Sequence, residues 1–164
     1  MKRDFGSCYR LLLLVWVLII NCVIHFCEIP FGWLVFLSNI LFFLLEEKDV
    51  KRKMLTVEIG GCVGLVLGYV LILLMGLLTP VLGKVFGFFL PLAAILSMLI
   101  LLHPKIPLIF NNVAFAYLTV ACIDHSALMV NLPRYLITFL IGSLVFNGGA
   151  LLLMKPAKLL AGKQ

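Results

Sequence analysis

The feature that most constrains this chain is its division into six long apolar runs, separated by short stretches of charged or helix-breaking residues. About 20 apolar residues in a helix cross the hydrocarbon core of a bilayer. The chain has 164 residues, of which 64% are hydrophobic and only 12% charged, so it has too little polar surface to cover itself in water. We therefore expect an all-α, polytopic membrane helix bundle that forms one integral membrane domain in contact with lipid. The six transmembrane helices are predicted at residues 11–30, 31–45, 55–78, 85–102, 108–123 and 135–154.

The basic residues predict the orientation of these helices, because cytoplasmic loops carry an excess of Lys and Arg. If the N-terminus lies in the cytoplasm, the other side receives only Lys84 and Arg134. The remaining eleven of the 13 basic residues then fall on the cytoplasmic side: Lys2, Arg3, Arg10, Lys48, Lys51, Arg52, Lys53, Lys105, Lys155, Lys158 and Lys163. We expect both termini in the cytoplasm and a plasma (inner) membrane of bacterial type. The net charge of +6 then reflects topology, and nucleic acid is not an expected partner.

Catalytic and metal-binding signatures are absent from the sequence. It contains no nucleophile elbow, no HExxH, no phosphate-binding GxxxxGKS and no CxxC pair. The five cysteines are scattered, and we expect them to be free thiols. We predict no enzymatic activity, no cofactor and no metal site.

The two short runs take matching places, the second in each half of the chain. One begins "IPFGWLVFLSNILFF" and the other "IPLIFNNVAFAYLT". Three helices per half would make a duplication an inverted 3+3 repeat, an arrangement that places solute sites of transporters near the midplane. The shared features are an Ile-Pro start, a Phe-rich body and an Asn, and we favour chance similarity over duplication.

The stretch "GGCVGLVLG" carries the most specific packing signal. Gly60, Gly64 and Gly68 recur every four residues and share one helix face, which lets another helix approach until the backbones touch. We predict tight helix packing there. The partner is either another span of the same chain or a second subunit, and the small and polar residues of the sixth run, from Gly142 to Ala150, offer one such surface.

Polar residues end the first apolar run in the stretch "NCVIHFCE". Asn21, His25 and Glu28 stand at i, i+4 and i+7, which would place them on one helix face. Two interpretations stay open: hydrogen bonds between helices with Glu28 at the membrane surface, or the polar lining of a solute or proton path.

Three further polar residues are candidates for the same path. Glu58 stands a few residues inside the third run, where it either pairs with Lys51, Arg52 or Lys53 or acts as a proton-coupled carboxylate. Asn111 and Asn112 stand near the start of the fifth run, and Asn39 of the second run would meet Asn112 if the two halves are related. These amides either cap and join helices or bind a small polar solute.

The segments "KDVKRKMLTVEIGGCVGLVLGYVLILL", "IPLIFNNVAFAYLTVA" and "LPRYLITFLIGSLVF" resemble two bacterial groups. One is an uncharacterised six-span inner-membrane family, and the other is the membrane module of fusaric-acid-resistance and aromatic-acid exporters. The resemblance implies an integral membrane protein that transports small molecules. This chain lacks the large cytoplasmic domain of the exporters, and no polar motif of either group carries over to its residues.

Together these patterns predict a transporter or channel component for a small solute or ion, acting as a homo-oligomer or with partner membrane subunits. Its candidate path residues are Asn21, His25, Glu28, Asn39, Glu58 and Asn112. The alternative is a non-transporting scaffold or accessory subunit of a membrane protein complex.

Overall fold

A computed structural model describes residues 4–162 of the chain. The protein is 84% helical, and no strand occurs within those residues. The helices are α1 (Phe5–Phe26), α2 (Trp33–Leu44), α3 (Val50–Leu102), α4 (Asn112–Ala121), α5 (His125–Leu152) and α6 (Met154–Gly162).

The longest segment, α3, is a hairpin. Gly83 has φ +78° and ψ 166°, outside the helical region and in a conformation that glycine adopts without strain. Gly87 packs directly against the backbone of Thr79, although residues eight apart in a straight helix are separated by about 12 Å. The chain therefore reverses at Gly83 and forms two arms, residues 50–82 and 84–102.

The glycine face of the first arm packs against α4. A Cβ on Gly64 would overlap the carbonyl oxygen of Ala114, so the absence of a side chain lets the two backbones touch. The contacts advance together along both helices: Gly60 with Asn111, Gly64 with Ala114, and Gly68 with Ala121. The first arm and α4 are therefore parallel. The structure thus places α4, and not the sixth predicted span, against this face.

The two inner neighbours α2 and α5 are also parallel to each other. The ring centroids of Phe31, just before α2, and Tyr135, in the first half of α5, lie 3.9 Å apart, and Asn39 bonds Asn147 further along both helices. Both helices are antiparallel to the first arm of α3. Phe139 of α5 packs on Gly61 of α3. Four residues later in α5, Ser143 reaches Glu58, which comes three residues earlier in α3.

Helix α1 lies at the edge of the bundle against α5 and α6, and it is antiparallel to α5. The Tyr9 hydroxyl donates to the carbonyl of Ala150 at 3.2 Å, and the Trp16 indole donates to the carbonyl of Phe146 at 3.0 Å. Only Cys8 and Ile20 of this helix are buried. One side of α1 therefore supports packing, and the other side faces away from the protein.

Three helical stretches are long and apolar enough to cross a membrane: Phe5–Phe26, Val50–Leu102 and His125–Gly162. Apolar helices of this length indicate a membrane protein. The 12-residue α2 and the 10-residue α4 are apolar too, but they measure only about 18 Å and 15 Å.

Several boundaries differ from those expected. α1 begins before residue 11 and ends at Phe26, because Glu28 (φ +49°) and Phe31 (φ +59°) turn the chain. The third span does not stop at residue 78; the first arm of α3 continues to the reversal at Gly83.

The second half differs as well. The fifth span begins at Asn112 instead of residue 108, because Asn111 caps the helix. The expected outer loop before residue 135 is helical from His125 onward, with a break at Asn131 (φ −120°, ψ 17°). A helix of nine residues, α6, follows the last span.

Candidate functional site

The buried polar side chains of the bundle are few, and most of them meet at one place. Ser38 and Asn39 of α2, Glu58 of α3, and Ser143 and Asn147 of α5 form a connected group, which we call the Glu58 cluster. All are less than 9% exposed. Because buried polar groups require partners, their concentration between three helices marks this as the candidate functional site.

The Glu58 carboxyl group has one hydrogen-bond partner. The Ser143 hydroxyl donates to Oε1 at 2.5 Å, whereas the buried Oε2 has no partner. Within residues 4–162, one ion pair forms, between Arg52 and Glu47 at 3.2 Å. Glu58 therefore does not pair with Lys51, Arg52 or Lys53, which was one of the two interpretations of its position in the sequence. A buried carboxylate without a compensating charge is costly. The site therefore calls for a proton or a cation at this oxygen.

Asn147 connects Glu58 to α2. Its amide nitrogen donates to Ser143 Oγ at 3.2 Å and to Ser38 Oγ at 3.4 Å. Its amide oxygen accepts a hydrogen bond from Asn39 Nδ2 at 3.1 Å. The side chains thus form an unbroken chain of hydrogen bonds across the bundle. Such networks hold their members in one arrangement when every group is satisfied, and here the buried Oε2 of Glu58 still lacks a partner.

Helical spacing explains how α5 contributes to the cluster. Ser143 and Asn147 stand four residues apart, and Phe139, Phe146 and Ala150 share their face of the helix. All five are fully buried. The apolar members of this face bury α5 against its neighbours and thereby carry the two polar members into the interior.

Aromatic side chains close the cluster on the side away from the basic stretch between Lys48 and Lys53, which we call the basic loop. The Tyr117 hydroxyl donates to the carbonyl of Leu34 at 2.5 Å, and its ring packs edge-on against Phe139 at 4.8 Å between centroids. On the opposite side, Lys53 Nζ lies 5.0 Å from the ring centroid of Phe42. Glu58 follows Lys53 by five residues, about 8 Å along the helix, so the cluster lies close to the basic end.

The structure brings together two of the six candidate path residues predicted from the sequence. Asn39 and Glu58 belong to the cluster, and Asn39 meets Asn147 instead of Asn112. Asn112 is exposed, whereas its neighbour Asn111 is buried and caps α4 by accepting from the backbone N–H groups of the next turn at 2.9 Å and 3.0 Å.

The other three candidates lie on α1 or just beyond it, on the surface. Asn21, His25 and Glu28 are exposed, and Asn21 donates to the carbonyl of Val17 in its own helix at 2.8 Å. Glu28 does not share their helical face, because α1 ends at Phe26.

Sequence reasoning missed Ser38, Ser143 and Asn147 as site residues. The i, i+4 spacing of Ser143 and Asn147 within a Phe-containing stripe was the available signal, the same kind of signal that singled out Asn21 and His25. That spacing identifies a shared face but does not reveal what the face contacts.

The chain matches no protein-family model, no curated protein and no solved structure at a significant level. The resemblance to six-span bacterial families stays a prediction.

Proposed function

We propose that the protein crosses the plasma (inner) membrane six times with both termini in the cytoplasm. Two observations support this topology. Successive segments, with α3 counted as two arms, alternate in direction, and the described basic residues then divide between the two ends. One end carries Arg10, Lys48, Lys51, Arg52, Lys53, Lys105, Lys155 and Lys158, and the other carries Lys84 and Arg134. Lys2, Arg3 and Lys163, which the sequence argument also used, lie outside the described residues.

The short α4 fits this proposal because the turn before it has its backbone satisfied by protein. Asn111 Nδ2 donates to the carbonyls of Pro107 at 3.2 Å and Leu108 at 3.1 Å. Non-helical backbone at membrane depth is tolerated where protein covers it. Reporter fusions at the two ends test the topology, and reporters active on opposite sides of the membrane would contradict it.

We propose further that the protein moves a small monovalent cation, either a proton or Na⁺, and that the Glu58 carboxyl group binds it. The observation that carries this proposal is the unpartnered Oε2 of Glu58 inside an apolar bundle. Ionisable residues within membrane helices mark ion and proton pathways. Burying such a side chain in the membrane costs free energy, so these residues occur mainly where they serve a function.

The size of the site favours an ion over an organic solute. The cluster members contact one another directly, at 2.5–3.4 Å. That spacing leaves no room for a larger molecule between them. The neighbouring hydroxyl and amide oxygens are the hard ligands that a small cation prefers. Ion release to the side opposite the basic loop requires the Tyr117–Phe139 contact to open.

The experiment uses the purified chain in sealed vesicles, with separate interior dyes for H⁺ and Na⁺. Wild-type protein is expected to dissipate an imposed gradient of one of these ions, and Glu58→Gln is expected to abolish that flux, since the amide cannot carry the ion's countercharge. Glu46→Gln is the matched control, because Glu46 is exposed in the α2–α3 loop and its removal changes the same charge.

Two results would contradict ion transport. Wild-type vesicles could retain both gradients as well as protein-free vesicles do, or Glu58→Gln could leave the flux unchanged while remaining folded.

The second candidate function is a scaffold or accessory subunit of a membrane complex. The observation that favours it is the exposed polar side of α1, where Asn21 and His25 face away from the bundle. Copurification in mild detergent distinguishes the two functions: a stoichiometric foreign membrane protein, together with absent ion flux, would favour the scaffold.

A further inference from the structure

The outward side of α1 carries a regular repeat. Leu11, Leu14, Leu18, Asn21 and His25 follow one another at alternating spacings of three and four residues, the a/d pattern of a two-helix seam. We call these five residues the α1 seam. The three leucines are 55%, 54% and 56% exposed, and the two polar residues are exposed too. Because α1 packs against α5 and α6 through its other side, the seam is turned away from the rest of the bundle.

Membrane depth makes this exposure significant. Asn21 follows Arg10 by eleven residues, which is about 16 Å along the helix and near the middle of a core roughly 30 Å thick. An amide that faces lipid at this depth is unfavourable and drives association with another helix. The intrahelical bond to Val17 uses one of its two N–H groups. The other N–H group and the oxygen remain available to a partner.

The chemistry of the seam matches a second copy of itself. In a parallel pair related by a two-fold axis along the membrane normal, each residue meets its own equivalent. The leucines pack together, and the Asn21 amide both donates and accepts, so two amides satisfy each other. A neutral imidazole at His25 likewise offers one donor and one acceptor. None of the five seam residues carries a fixed charge that would repel its copy.

We propose that two copies of this protein associate through the α1 seam as a parallel, left-handed helix pair, with Asn21 setting the register. A single polar residue within an otherwise apolar seam can specify register in helix pairs, because any other register leaves it without a polar partner. This pairing explains why polar residues stand on the outer face of a membrane helix. It does not depend on ion transport by the Glu58 cluster, and either proposal can fail without the other.

Cysteine cross-linking in membranes tests the surface. In a variant whose five native cysteines are replaced by alanine, Leu18→Cys is expected to form a disulfide-linked dimer, because facing seam positions lie within disulfide reach. Leu144→Cys is the matched control, since Leu144 is 51% exposed on α5, outside the seam. A monomeric Leu18→Cys variant, or cross-linking of Leu18→Cys to a foreign protein in native membranes, would overturn the proposal.

Dilution of fluorescently labelled protein in lipid vesicles tests the role of the amide. Asn21→Leu is expected to weaken self-association by roughly threefold to thirtyfold, the range of one or two interhelical hydrogen bonds in lipid. Ser97→Leu, at an exposed polar position on the second arm of α3, is expected to leave it unchanged. Unchanged association of the Asn21→Leu variant would show that the pairing does not use this amide and would overturn the proposal.

Discussion

Asn21 and Asn147 are the same residue type in equally apolar helices, yet they meet opposite surroundings. Asn147 is fully buried and connects Ser38, Asn39 and Ser143 through three hydrogen bonds. Asn21 is exposed and bonds only its own helix. A polar residue inside an apolar run therefore indicates that a polar partner is needed. For Asn147 the partners lie within the chain, and for Asn21, by our proposal, the partner lies in a second copy.

The largest expected effect separates these two asparagines directly. Asn147→Leu should lower the free energy of unfolding by about 2–4 kcal/mol, because three hydrogen bonds, two of them to α2, are lost and their partners stay buried. Asn21→Leu should leave the unfolding free energy of the monomer nearly unchanged. Titration of both variants with denaturing detergent, followed by circular dichroism, measures the difference. Equal destabilisation would remove the distinction between the two sites.

A second pair compares the inner and outer faces of one helix. Gly64→Ala should destabilise by about 1–3 kcal/mol, because its Cβ would overlap the backbone of α4. Gly76→Ala should be neutral or stabilising by about 1 kcal/mol, since nothing lies within 4 Å of its Cβ and alanine has the higher helix propensity. The same detergent titration applies. A tolerated Gly64→Ala would mean that the first arm of α3 and α4 are not in backbone contact.

The smallest effect concerns two serines. Ser143→Ala should destabilise by about 1 kcal/mol, because it removes the hydroxyl that donates to Glu58. Ser97→Ala, which changes an exposed hydroxyl, should fall within about 0.5 kcal/mol of wild type. If the Ser97 variant proved the less stable of the two, the Ser143–Glu58 bond would not contribute as the geometry indicates.

The sequence predicted the helical class and the approximate positions of α1 to α5, because uninterrupted apolar runs leave helices as the way to satisfy backbone groups in lipid. It did not predict α6 or the helical stretch of α5 before residue 135. It located boundaries less well. The third span was expected to end at residue 78, but the chain reverses at Gly83, where only glycine adopts the required φ without strain.

For the candidate site, the sequence identified Asn39 and Glu58 but could not join them. Their connection runs through Ser143 and Asn147, which lie about a hundred residues from α2 and at least 85 from Glu58. Local spacing carries no information about contacts at that separation.

The amino-acid sequence by itself determined that this chain forms apolar helices suited to a membrane, with glycine and polar faces at regular spacing. Tertiary structure decided that the glycines of α3 meet α4, that Glu58 meets α5, and that the polar side of α1 faces outward. The reason is that periodicity defines a face of a helix, whereas the neighbour of that face depends on how all the helices pack together.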